Sequence, residues 1–110
     1  MKIFEGQRVL ITGAGSGIGL VMAQHFEHSG ARIWICDADS KNLNQSLEKY
    51  PHWQGSLCDV SNQESVSILF NELAQNFGGL DILINNAGIT RDGTVHKMDY
   101  ENWQAVIDTN

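Results

Sequence analysis

An open α/β fold, a parallel sheet with helices on both faces, is the class this sequence predicts, and three observations predict it. Short apolar runs alternate with segments of helical period from end to end, with no linker, repeat or low-complexity stretch. The first run, Arg-Val-Leu-Ile-Thr, passes through Gly-Ala-Gly-Ser-Gly straight into a helical segment. The run Leu80 to Asn85 (LDILIN) is apolar enough to be covered on both faces, as a central parallel strand is. Right-handed crossovers then give strand order 3-2-1-4, the first half of a doubly wound, Rossmann-type sheet that is incomplete on one side.

Each element has its own signal. Val9 to Gly13 is the first strand, and the helix after it carries Ile18, Met22 and Phe26 on one face until Ser29-Gly30 stops it. Arg32 to Asp37 is the second strand. Ser40 caps a second helix with Leu43, Leu47 and Tyr50 along one side, and Pro51 ends it. Trp53 to Leu57 is a third, weaker strand. Ser61 and Glu64 form a capping box ahead of Val66, Leu69, Phe70, Leu73 and Phe77, with Gly78-Gly79 as the terminator. After LDILIN, Asp99 caps a last helix that sets Trp103, Val106, Ile107 and Asn110 on one side.

Composition narrows the function classes. A chain of 110 residues, 42% hydrophobic, suits a single domain, 1–110, with a packed core. Its net charge of −6 argues against nucleic acid or an acidic membrane surface as partner. No apolar run approaches a membrane span, and the glycines, Thr12 and Ser16 interrupt the stretch that could pass for a leader. The cytoplasm is the expected compartment. Cys36 and Cys58 then read as buried reduced thiols; a disulfide would need neighbouring strands with matched Cβ directions. His25 and His28, three apart on a helix, do not make a metal site.

The chemistry concentrates at the strand ends. A buried strand that turns directly into a helix aims unpaired N–H groups and a positive dipole end at the turn, which makes an anion site. Gly13 permits the tight turn, Gly17 lets a pyrophosphate approach the backbone, and Gly19 lets helix pack closely on strand. Asp37 ends the second strand near the spacing of about 20 residues expected for an acid that binds the ribose hydroxyls. A carboxylate there repels a 2′-phosphate.

The pattern Thr12-Gly13-x-x-x-Gly17-x-Gly19, taken with Asn85-Asn86-Ala87-Gly88, resembles the short-chain dehydrogenase/reductase family. The resemblance spans nearly the whole chain but reaches only the cofactor half of the family fold. It implies an oxidoreductase that moves a hydride between a nicotinamide dinucleotide and an alcohol or ketone. It also implies that Ser16, Ile18, Asn86, Ala87 and Gly88 line the cofactor cleft, with the Thr12 hydroxyl as tether. Asp59 and Val60 would lie against the adenine, although Asp59 also reads as a helix-start acid. Asp37, with no Arg or Lys at Ser16 or Ala38, favours NAD over NADP.

Asn110 falls where the family's catalytic asparagine holds a water in a proton relay; a plain polar residue is the other reading. Family members also need a Tyr-x-x-x-Lys pair, because a phenol with pKa about 10 is a poor base at neutral pH. Tyr50 and Tyr100 are followed four residues on by Gln54 and Gln104, so neither supplies it. The expectation is therefore the N-terminal part of an NAD-dependent enzyme, inactive by itself and prone to form homo-oligomers through the LDILIN edge and a patch around Trp103 and Ile107. A stand-alone nucleotide-binding or interaction module, or a half-enzyme completed by another chain, are the alternatives. The run Ile89-Thr90-Arg91-Asp92 is similar to that of members reducing 3-oxoacyl thioesters, while Arg91 reads equally as a surface charge.

Overall fold

Alternating side chains within each apolar run decide which face of the sheet they bury against. The computed structural model describes residues 2–87. In it the chain runs β1 (Arg8–Thr12), α1 (Gly17–His28), β2 (Arg32–Asp37), α2 (Ser40–Lys49), β3 (Gln54–Leu57), α3 (Gln63–Glu72) and β4 (Ile82–Ile84), with a wider π-type turn, Leu73–Phe77, prolonging α3. All three strand pairings are parallel and the order is β3-β2-β1-β4, as the alternation predicts.

Val9, Ile11, Ile33 and Ile35 point to the face covered by α1 and α2, where Ala23 and Leu43 meet them. Leu10, Trp34 and Cys36 point the other way, onto Val66, Leu69 and Phe70 of α3. Trp34 is buried at no polar cost, since its indole N–H donates to Ser56 Oγ at 3.0 Å. Its ring meets Phe77 edge-on at 5.4 Å between centroids.

Several boundaries differ from the sequence expectation. On α1 the fully buried positions are Gly19 and Ala23, whereas Ile18 is 68% exposed. The helix passes too near the β1 turn for a branched side chain on that face, so the smallest residues face the sheet. Met22 and Phe26 flank this contact half-buried. Asp39, not Ser40, caps α2 by accepting from the Asn42 N–H at 3.0 Å. Asn62 caps α3 by accepting from the Ser65 N–H at 3.0 Å, and Ser61 bonds instead to Asp59, so there is no capping box.

Trp53 precedes β3 rather than starting it: its N–H donates to Tyr50 O, and its ring stacks on Tyr50 at 4.1 Å. β4 is shorter than LDILIN because Leu80 turns into the core and Asp81 is drawn to Arg8. The helix expected after Asp99, with Trp103 and Ile107, lies outside the described residues.

Arg8 and Asp81 clamp the start of β4 to β1. Arg8 Nε and Nη2 donate to the two Asp81 oxygens, both at 3.0 Å, and the Arg8 backbone N–H donates to Oδ2 at 2.8 Å. Hydrogen bonds from the Arg8 side chain and then its backbone hold the Asp81 carboxyl below its usual range. A depressed carboxylate stabilises the fold above its unfolded pKa, about 4, and that contribution disappears as pH falls through the lower folded value. Asp81→Asn should therefore cost about 1 kcal/mol or less at pH 7. Urea unfolding should show the deficit at pH 7 and a smaller one at pH 3; an equal deficit at both would exclude an ionic origin.

Candidate functional site

The C-terminal ends of the strands open into a cleft of about 310 Å³. Gly13, Ser16, Gly17, Ile18, Asp37, Asp59, Val60, Asn86 and Ala87, all singled out from sequence, line it. Thr12 and Gly19 lie behind its wall, fully buried or nearly so. Gly88 and Asn110 lie outside the described residues.

The glycine turn builds the floor. Gly13 passes so near the end of β4 that a Cβ on it would meet Ala87 Cα at 3.1 Å, and one on Gly19 would overlap Gly13 O. Gly17 differs: a Cβ there would meet nothing within 4 Å, but its φ of +62° needs glycine. The space before it is open. Ser16, the residue ahead of α1, is extended and makes no side-chain cap, and no acid sits in the first turn. Asp39 and Asn62 do cap α2 and α3. The α1 N-terminus thus presents its positive end to the cleft.

Two hydrogen-bonded ties fix this turn to the segment after β4. Thr12 Oγ1 accepts from the Ala87 N–H at 3.0 Å and donates to Asn85 Oδ1 at 3.1 Å. Asn86 Nδ2 donates to Gly13 O at 3.2 Å. The acids are equally well held. Asp37 Oδ2 accepts from the Gly15 N–H and Oδ1 from the Asp39 N–H, each at 2.9 Å, which leaves lone pairs on both oxygens for a ligand hydroxyl. Asp59 Oδ1 accepts from the Ser61 N–H at 2.9 Å and hydroxyl at 2.6 Å. It therefore opens the turn into α3 while lining the cleft.

Sequence reasoning missed Asn42 and Cys58 in the lining and Ser46 behind it, while Ala38, weighed only as a position without a basic residue, also lines the cleft. Ser46 did carry a signal, a hydroxyl three residues after Leu43 on the apolar face of α2. Cys36, in β2, and Cys58, the residue after β3, are free, buried thiols. The parallel register sets Cys36 opposite Ser56, which leaves Cys58 diagonal to it. Its hydrogen bond with Cys58, then burial, pushes the Cys36 thiol well above its ordinary pKa, so it stays protonated. A second groove lies at the opposite ends of the strands, where Glu27 accepts from Trp53 Nε1 at 2.6 Å and pairs with His52. Among the described residues no three His, Cys, Asp or Glu side chains cluster as metal ligands. No described helix is long and apolar enough to cross a membrane.

Thr12→Val keeps the volume and removes the tie between β1 and the segment after β4. The variant should lose about 1–3 kcal/mol, and Thr12→Ser should recover most of it. Thermal unfolding measures this; a Val variant as stable as the parent would show that the tie contributes nothing.

Residues 7–110 match the family model for short chain dehydrogenases. The chain is 38% identical over 109 residues to the 3-oxoacyl-[acyl-carrier-protein] reductase of Escherichia coli K12, covering 97% of this chain and 44% of that one. It thus spans less than half the length of such curated relatives. Among solved structures it is similar to 2-keto-3-deoxy-D-gluconate dehydrogenase from Streptococcus agalactiae, with TM-score 0.73 and 32% identity over 96% of this chain and 41% of that one. The 3-ketoacyl-(acyl-carrier-protein) reductase of Brucella melitensis, complexed with NADH, matches with TM-score 0.69 and 33% identity over 73% of this chain and 33% of that one. Glycine turn, strand order and sequence agree: the chain belongs to the short-chain dehydrogenase family.

Proposed function

We propose that the cleft binds a nicotinamide dinucleotide, NAD in preference to NADP, as the cofactor site of an oxidoreductase acting on an alcohol or ketone. The observation that carries this reading is Asp37, a carboxylate fixed by two backbone N–H groups beside an uncapped helix N-terminus. The residues suit the two halves of such a ligand. The Gly17, Ile18 and Gly19 backbone at the α1 end takes the pyrophosphate, with Ser16 beside it, and Asp37 accepts from the ribose hydroxyls. Exposed Ile18 gives the ligand an apolar surface. Asp59 and Val60 flank the adenine, and Asn86, Ala87 and Gly88 the nicotinamide side, with Gly13 and Thr12 shaping the floor.

Bound, the nicotinamide supplies the hydride; the residues of this chain bind it, orient it and select it. Asn110 is the proposed relay residue. Residues 1–110 act as one nucleotide-binding domain within a homo-oligomer. A 3-oxoacyl thioester is the favoured substrate class, supported by the reductases among the relatives and by Ile89-Thr90-Arg91-Asp92. A net charge of −6 and two free thiols support the cytoplasm, and make nucleic acid or a membrane an unsuitable partner.

Titration of NADH and NADPH, read by fluorescence of the reduced nicotinamide, tests the cofactor assignment. NADH should bind about tenfold tighter, a difference of about 1.4 kcal/mol. Asp37→Ala should narrow that ratio by admitting the 2′-phosphate. Equal affinities in the parent would overturn the assignment.

A further inference from the structure

Gly15 stands between two adjacent elements and is held by both. Its N–H donates to Asp37 Oδ2 at 2.9 Å, and its carbonyl accepts from Ser46 Oγ at 2.7 Å. Ser46 is only 4% exposed, within the face that α2 turns to the glycine loop. The residue ahead of α2, Asp39, sends its own N–H to the second Asp37 oxygen at 2.9 Å. Asp37, Gly15 and α2 therefore close a ring in which α2 holds the carboxylate from one side and the loop from the other. There is little slack in it, because a Cβ on Gly15 would lie 2.7 Å from Asp37 Oδ2 and 2.9 Å from Asn42 Cβ.

Glycine has the widest φ/ψ range of any residue, so nothing intrinsic keeps the Gly15 N–H aimed at Asp37. Fixing its carbonyl removes most of that freedom. Discrimination against a phosphate in turn depends on where the carboxylate stands, because repulsion and hydrogen bonding both fall away when the group can swing aside.

We infer that Ser46 is a positioning residue for cofactor choice: its hydroxyl fixes Gly15, and through Gly15 the Asp37 carboxylate that separates NAD from NADP. The inference rests on the reading of the cleft given above. Ser46 is not in the cleft lining. Its position on α2 lets the helix packed against the glycine turn set the geometry of that turn.

The test is a titration of NADH and NADPH against the full chain and its Ser46→Ala, Ser46→Cys, Asp37→Ala and double Ser46→Ala/Asp37→Ala variants. Loss of one such bond should shrink the NADH-over-NADPH ratio about three- to tenfold in Ser46→Ala. Ser46→Cys, close in size with a weaker donor, should fall between, and it carries the test if the Ala variant does not fold. In the Asp37→Ala background, adding Ser46→Ala should leave the ratio unchanged, since no carboxylate remains to be positioned. A Ser46 variant that weakens both cofactors equally, or that moves the ratio as far without Asp37 as with it, overturns the inference and leaves the cleft assignment standing. A parent chain with no preference at all overturns both.

Discussion

The mouth of the cleft depends on how closely the chain leaving β1 passes the chain leaving β4. A Cβ at Gly13 would press on Ala87 and one at Gly19 would overlap the Gly13 carbonyl, so only glycine lets the three segments meet. Close approach buries backbone polar groups, and each must then find a partner. Thr12 and Asn86 supply two of those partners across the gap, to the Ala87 N–H and the Gly13 carbonyl. The turn is thereby both tight and tied, which suits a binding surface made of backbone.

From that junction the electrostatics follow. α1 begins inside the cleft with its first turn free of acids and its preceding serine not capping, whereas α2 and α3 each use a side chain to cap their own N-termini. A helix end left without a cap keeps its partial positive charge for a ligand. Asp37 stands next to it, yet its carboxylate is directed by the Gly15 and Asp39 N–H groups rather than left to swing toward the helix. One region thus offers a positive end for phosphates and a fixed negative group for hydroxyls.

What could be read from sequence depended on whether the signal was periodic and local. Strand order follows from the alternation of apolar runs with helical segments, which right-handed crossovers turn into β3-β2-β1-β4. Asp37 was legible from its distance along the chain after Gly19. The face of α1 was misread because bulk suggested Ile18 while the close crossing demanded Gly19 and Ala23. Caps were misplaced by one residue at both α2 and α3, where Asp39 and Ser40, or Ser61 and Asn62, are adjacent and chemically alike. Asn42 carries no motif signal and Ser46 only that of a hydroxyl on the apolar face of α2, since their part in the site comes from α2 packing on the glycine loop, a tertiary event.

Backbone amide shifts of the isotopically labelled chain on addition of NADH test the central claim most directly. Changes are expected at Gly15, Gly17, Ile18, Gly19, Asp37, Val60 and Ala87, with Glu27, His52 and Trp53 at the opposite ends of the strands unmoved. Changes centred on Glu27, His52 and Trp53, or none at saturating NADH, would contradict it.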